Sequence, residues 1–501
     1  MDTSVEDAGF DIIEATITEI HDAFESSELT AEQLTEEYIN RIRAHDETLN
    51  AVLHINETAR DRAQELDERF ATNGLTGPLH GIPTLIKDNH DTESMPTTAG
   101  SELLEDVTPP RSAFVVEQLR DAGAIIIGKT NLQELSFGTD TVSSLGGNTR
   151  NPYAVEHRPS GSSGGTAAAV AANLSTIGTG TDTCSSVRSP PSFTNLVGVR
   201  PTSGLVSRTG LIPLSTTQDT AGPIARTVGD AARTLEAMAG YDPMDPSTAT
   251  GLDEIPEEGY TDHLISDGLE DARIGVLRNR FEPTDERNAS SEAFESIRSC
   301  TETAIDAIES AGATVIDPFT VADPDRIAAS RVVAYEFKRD FNAYLSEIGE
   351  ASPIDSLQEL VDSGTLTESV GRRIHETGSL EVDTDTLDRD PEYLAALVEQ
   401  ERLRTQIVHR LTKHDLDAVL YPPSTVPPIK IPDSQPFEEM RCQLAAHSGL
   451  PAIVVRSGFT NDGLPVGVEL LGRPFDEARL FELAYAYEQA TDHRTPPSQF
   501  S

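Results

Sequence analysis

Three short stretches carry residues that can do chemistry together. "SGSSGGTAAAV", residues 160–170, sets serines and glycines in front of an alanine-rich run. Ser186 stands 24 residues after Ser162, in "GTDTCSSVRSPPS". Upstream, Lys87 lies in "LIKDNHD". A serine hydroxyl is a weak nucleophile and needs a base to take its proton. No G-x-S-x-G turn surrounds Ser162 or Ser186, and none of the 12 histidines stands at a telling offset from them. Lysine can be the base when it is neutral, which requires burial or neighbouring dipoles. Lys87 sits in an apolar run, in a chain with only five lysines among 38 basic residues. Asp88 would raise its pKa from the same face, but strand alternation turns Asp88 to the opposite one. Lys87 equally suits a structural ion pair at a strand end.

Other uses of the Gly/Ser stretch fit less well. A phosphate-binding Walker loop needs Lys and Ser/Thr after its last glycine, whereas Gly165 is followed by Thr166 and Ala167. The G-x-G-x-x-G spacing of a dinucleotide site is absent. A flexible linker is poorly served by the helical pattern "TAAAVAANL" that follows at once. A generic turn stays open.

The elements that must position these residues alternate between helix and strand. Residues 11–70 read as helices, with Ile13, Ile17, Ile20 and Phe24 at three- and four-residue spacing. Thr30 with Gln33 forms a capping box ahead of Leu34, Tyr38 and Ile42. "IPTLIKD" and "AIIIGKT" read as buried strands, with the helix "SAFVVEQLRDAG" between them. "DAARTLEAMAG" is a further helix, and "YDPMDPSTATGLDEIPEEG" an exposed connection. "RIGVL" begins another strand, followed by a helix to about residue 310 and a strand at "ATVID". Residues 320–410 are mostly helical and acidic, and "LDAVLYPPS", "AIVVRSGF" and "PVGVELLG" return to sheet. The alternation predicts an α/β fold. No repeat, low-complexity tract or clear break divides the 501 residues, so a single domain over 1–501 is expected.

Composition narrows the function classes. Hydrophobic residues make up 37%, as in a globular chain, and no apolar run approaches a membrane span. The acidic start "MDTSVEDAGF" lacks the apolar region of a secretory signal, and a cytoplasmic location is expected. Cys184, Cys300 and Cys442 are odd in number and far apart, which predicts neither a disulfide framework nor a zinc site. The net charge of −46 argues against direct nucleic-acid binding, which needs basic patches. The same charge repels itself at low salt. It resembles the acidic surfaces of proteins from salt-accumulating archaea and implies a halophile.

"LHGIPTLIKDNHDTESMPTTAGS", "GSSGGTAAAVAANLSTIGTGTDTCSSVRSPPS" and "VGVRPTSGLVSRTGLIPLSTTQDTAGPIARTVGDAARTLEAMAG" together resemble the amidase signature family. The likeness extends to the helical N-terminus and to "SGLPAIVVRSGFTNDGLPVGVELLGRPFDEARL", and thins between about 245 and 410. It implies an α/β/α sandwich around a large mixed β-sheet. A signature core would occupy about 75–240, a largely helical substrate side about 245–410, and a C-terminal sheet region about 411–490. It further implies a Ser–Ser–Lys triad: Ser186 as nucleophile, Ser162 as the bridging serine with a cis peptide bond, and Lys87 as base. Backbone N–H groups of Thr183, Cys184, Ser185 and Ser186 would hold the oxyanion. Asp182 and Arg188 would pair to fix the loop, and Ser163 would support the site or only complete the turn. Gly164 and Gly165 would permit close backbone approach, and Arg208 and Asp219 would be scaffold.

The reaction implied is hydrolysis of a carboxylic amide to acid and ammonia or amine, with no metal or organic cofactor. The partner would be a small-molecule amide, with no membrane; a homodimer is compatible. An alternative within the family is the glutaminase component of an aspartyl/glutamyl-tRNA amidotransferase, which releases ammonia from glutamine and works with B and C subunits. A lesser alternative is a non-catalytic binding relative. The chain departs from the family at Cys184–Ser185, where two glycines are usual. Any positive φ there would cost about 1 kcal/mol or more. Cys184 reads as a small side chain filling the loop rather than as a thiol nucleophile.

Overall fold

Every residue of the strand that ends in Lys87 is buried. That is why its sequence is apolar throughout rather than alternating. The computed structural model describes residues 9–284 and 291–501; most of the acidic start, residues 1–8, lies outside them. The strands in chain order are β1 (Val52–Ile55), β2 (Pro83–Lys87), β3 (Ile125–Thr130), β4 (Val142–Ser143), β5 (Gly147–Asn148), β6 (Ile177–Thr181) and β7 (Val197–Arg200). They continue with β8 (Ala221–Ala225), β9 (Arg273–Val276), β10 (Thr314–Ile316), β11 (Ala418–Tyr421), β12 (Ala452–Phe459) and β13 (Pro465–Leu471). Strands β4 and β5 pair with each other; the rest form one 11-stranded sheet in the order β1-β3-β2-β6-β8-β7-β12-β13-β11-β9-β10. The sheet is mixed: β2 runs parallel to β3 and β6, while β6 and β8 are antiparallel. Helices pack on it, and the fold is the α/β arrangement that the alternation predicts, around the large mixed sheet that the family resemblance implies.

All the strands expected from apolar runs form, and the capping box of Thr30 and Gln33 is present. The first helix begins at Ile17, so Ile13 precedes it. The structure corrects the all-helical reading of 11–70, because half-buried "VLHI" forms edge strand β1. Strand β6, "IGTGT", also escaped prediction, because glycine is a poor strand former. Its glycines answer to packing. A Cβ on Gly178 would lie 2.4 Å from Thr166 Cγ2, and one on Gly180 would lie 2.5 Å from Ser163 Oγ.

The helix Gly164–Ala171 causes this close packing. All of its residues are buried, and they are small because the helix lies directly against the sheet. A Cβ at Gly165 would sit 2.1 Å from the carbonyl oxygen of Asn131, a backbone atom that cannot swing aside. The register then sets the site. Ile86 in β2 pairs with Thr179 in β6, and both strands run the same way, so Lys87 and Thr181 end at the same edge. In parallel α/β sheets this carboxyl edge is where ligands bind. Gly165→Ala should therefore destabilise the fold by about 1–3 kcal/mol or more; denaturant unfolding of the variant beside the wild type measures the loss.

Candidate active site

Three neighbouring elements converge beyond the ends of β2 and β6. Lys87 closes β2 and is fully buried. Its Nζ lies 2.7 Å from Ser162 Oγ and 2.8 Å from Thr181 Oγ1. Asn89 donates to the same threonine oxygen at 3.0 Å. Asp88 turns away and contacts buried Lys129 at 3.1 Å, as strand alternation requires. Among the described residues no carboxylate forms an ion pair with Lys87. Burial therefore dominates its titration and pulls the amine down to about 7, against a smaller opposing pull from Asp219 and Asp182.

Ser162 sits in the turn before the Gly164–Ala171 helix. The Gly161–Ser162 peptide is cis, and the Ser162 carbonyl accepts from the Gln133 amide at 2.9 Å. Thr141 Oγ1 holds the turn by donating to the Ser160 carbonyl and accepting from the Gly164 amide. Ser163 Oγ points back to the carbonyl of Thr181 at 3.3 Å, so its hydroxyl ties the turn to β6.

The loop from Asp182 to Ser186 continues β6. Asp182 is buried between Arg188, whose Nε donates to it at 3.1 Å, and Arg200, whose guanidinium donates at 2.8 Å. Burial pushes its carboxyl up, but the two arginines outweigh that and hold it below the usual range. Arg188 also reaches Glu469 at 2.5 Å, and Tyr421 donates to the same carboxylate. The amides of Thr183, Cys184, Ser185 and Ser186 donate no hydrogen bond among the described residues. The carbonyls of the first three are engaged: Gln218 donates to Thr183 at 2.8 Å, Arg188 donates to Cys184, and the Arg188 and Ser189 amides donate to Ser185. The loop is thus held by its oxygens and leaves its N–H groups free.

Thr183, Cys184, Ser185 and Ser186 line a cavity of about 260 Å³. The Ser186 hydroxyl makes no hydrogen bond among the described residues, so the structure joins Lys87 to Ser162 but not Ser162 to Ser186 by a direct bond. Neither Cys184 nor Ser185 has positive φ, so replacing glycine there brings no left-handed strain. The rest of the wall is largely apolar, with Phe137, Leu214, Val333 and Phe437. Arg331 and Arg373 also line it. Arg373 stacks 4.4 Å from the Phe437 ring and 5.4 Å from Phe137. Neither arginine forms an ion pair among the described residues.

Several participants were not legible in the sequence. Thr181, Asn89, Gln218 and Glu469 gave no signal of their own. Asp219 accepts the Thr183 hydroxyl, a scaffold contact directly on the Asp182–Ser186 loop. The cysteine expectation is corrected: Cys184 and Cys442 form a disulfide across 258 residues, leaving Cys300 free. Spacing could not reveal it, because only the folded sheet brings the β6 loop against the helix Gln443–Ser448. No cluster of His, Cys, Asp and Glu among the described residues could hold a metal ion, and none of their helices is long and apolar enough to cross a membrane.

A large mixed sheet carrying a lysine–serine pair and a loop of unbonded amides at one edge is the framework of an amide hydrolase. By its match to the amidase family model over residues 33–481, the chain belongs to the amidase signature family and is a hydrolase of amide C–N bonds. It is 34% identical to a probable amidase of Arabidopsis thaliana, over 97% of this chain and 92% of the other. It is also 34% identical to the A component of the glutamyl-tRNA(Gln) amidotransferase of Prochlorococcus marinus, over 93% and 95% of the two chains. The native peptide amidase structure from Stenotrophomonas maltophilia superimposes with a TM-score of 0.86 at 36% identity, covering 97% and 98%.

Arg188 and Arg200 share the carboxylate of Asp182. Asp182→Asn should destabilise the protein by about 3–5 kcal/mol, because it leaves buried positive charge uncompensated. Unfolding in urea, followed by circular dichroism, tests this.

Proposed function

We propose that the protein is a free-standing serine amidase that uses Lys87, Ser162 and Ser186 as a proton relay. The observation that carries this is the buried amine of Lys87, 2.7 Å from Ser162 Oγ, at the edge where Ser186 and unbonded amides line one cavity. Neutral Lys87 accepts the proton of Ser162. Ser162 takes the proton of Ser186, whose Oγ attacks the amide carbonyl carbon. The oxyanion is held by the amides of Thr183 to Ser186. The proton returns through Ser162 to the leaving nitrogen as the C–N bond breaks. Water, deprotonated by the same relay, then releases the acid from Ser186. The Ser162–Ser186 link closes when substrate fills the cavity, since such bonds commonly tighten only in the complex.

The cavity supports an amide whose acyl part combines apolar bulk with an anionic or strongly hydrogen-bonding group. Phe137, Leu214 and Phe437 suit the first; Arg331 and Arg373, which form no ion pair among the described residues, suit the second. The peptide amidase likeness favours a peptide-like amide. The amidotransferase relatives favour a second reading, in which glutamine is the amide and B and C subunits receive the ammonia. Ammonia release by the isolated chain from peptide amides supports the first. Glutamine hydrolysis that needs co-expressed B and C subunits supports the second. The net charge of −46 calls for an assay in concentrated KCl, which screens the self-repulsion.

Ser186→Ala should lower kcat by about a thousandfold or more while leaving the fold intact. An unchanged kcat removes Ser186 from the mechanism. The base must be neutral, and Lys87 titrates at about 7. As pH falls below that value, kcat/KM should fall about tenfold per unit; above it the profile should level. A profile flat from pH 5 to 8 overturns the role of Lys87.

A further inference from the structure

The disulfide Cys184–Cys442 joins two walls of the active cavity. Cys184 belongs to the loop whose amides donate no hydrogen bond among the described residues, and Cys442 immediately precedes the helix Gln443–Ser448. Gln443 and His447 of that helix line the same cavity as Thr183 to Ser186. Arg188 bridges the same two segments from behind, donating to the carbonyls of both Cys184 and Cys442. The oxyanion loop is therefore held to the far wall by a covalent bond and a shared guanidinium. Cys184 stands where the family usually has glycine, and its side chain is what makes this tether possible.

The bond is also reachable. Cys184 is the one half-buried residue from Thr181 to Arg188, and it lines the cavity, whereas Cys442 is buried. A small thiolate entering by the substrate's route meets Cys184 first. Disulfides that are exposed to small thiols are the labile and regulatory ones. In a reducing compartment such bonds are commonly transient or redox-sensing.

We infer that Cys442 is a positioning residue for the oxyanion loop, acting through a reducible disulfide that switches the amidase between a fast and a slow form. The inference rests on the assignment of the Thr183–Ser186 amides to the oxyanion. A dithiol reduces the bond by thiolate attack on one sulfur. A mixed disulfide forms and the other cysteine leaves as a thiolate. The second thiol of the reductant then closes its own disulfide, and Cys184 and Cys442 end as two thiols. Two electrons and two protons pass from the dithiol to the protein.

The test compares oxidised and dithiothreitol-reduced enzyme in concentrated KCl, with the reductant removed before assay. Thiol titration of the oxidised, denatured chain should find one free thiol; three free thiols overturn the proposal. Reduction should lower kcat about tenfold and change KM less than about twofold, because the loop's donors act on the transition state rather than on bound substrate. Reoxidation should restore kcat. Cys442→Ser should match the reduced wild type and ignore dithiothreitol, while Cys300→Ser should keep the full response. Unchanged kcat on reduction overturns the switch. So does a loss that accompanies unfolding by circular dichroism or survives reoxidation, since that marks a purely structural bond. Ser186→Ala in the oxidised form keeps the two proposals apart: if it is inactive while reduced wild type is fully active, only the switch fails.

Discussion

A lysine amine buried with no carboxylate at contact distance among the described residues is the constraint around which the site is built. In water such an amine is protonated; inside the sheet its charge has no solvent, and burial brings its pKa down to about 7. Ser162 and Thr181 satisfy its hydrogen-bonding capacity, so the neutral form is not left orphaned. The neighbouring Lys129 shows the contrast. It is equally buried and also lowered by burial, yet it contacts Asp88 at 3.1 Å. Of these two buried lysines on adjacent strands, Lys129 has a carboxylate in contact, while Lys87 feels Asp219 and Asp182 only from a distance. That difference separates an amine suited to accept a proton from one that braces a strand end.

The same logic governs the loop beside it. Asp182, Arg188, Arg200 and Glu469 are all buried and interlocked. Such a network is weak as a source of net stability, since desolvation opposes the attraction between the charges. It is directional, however, and the arginines grip the loop by its oxygens. The amides of Thr183 to Ser186 are thereby left without acceptors among the described residues. Preorganised donors of this kind need no rearrangement when negative charge develops beside them. Arginine suits the role better than lysine because its planar fork grips several oxygens at fixed angles. In a chain that is strongly acidic outside, these arginines spend their charge internally.

Glycine and alanine decide how closely these parts approach. The Gly164–Ala171 helix lies on β6 with no side chain larger than valine between them, and β6 carries Gly178 and Gly180 at the contact. This holds the Ser162 turn within reach of the β2 edge. It also explains why β6 was hidden from prediction: its residues answer to thinness, not to strand propensity. β1 was hidden for a different reason, since a four-residue, half-buried edge strand has too little pattern to stand out among helices.

Local signals in the sequence determined much of this protein. Apolar runs marked β2, β3 and the C-terminal strands, capping residues marked helix starts, and the rarity of lysine drew attention to Lys87. The two serine loops, with their motif resemblance, named the residues of the proposed relay. Tertiary structure alone decided the rest. Thr181, Asn89 and Gln218 enter the site because β2 and β6 are parallel neighbours in register, a pairing between distant segments that no local pattern encodes. Glu469 meets Arg188, and Cys442 meets Cys184, only after β12 and β13 join the sheet beside β7. The physical reason is one of range. Propensity and hydrophobic period act over a few residues, whereas desolvation, ion pairing and disulfide formation depend on which distant segments the sheet brings within a few ångströms.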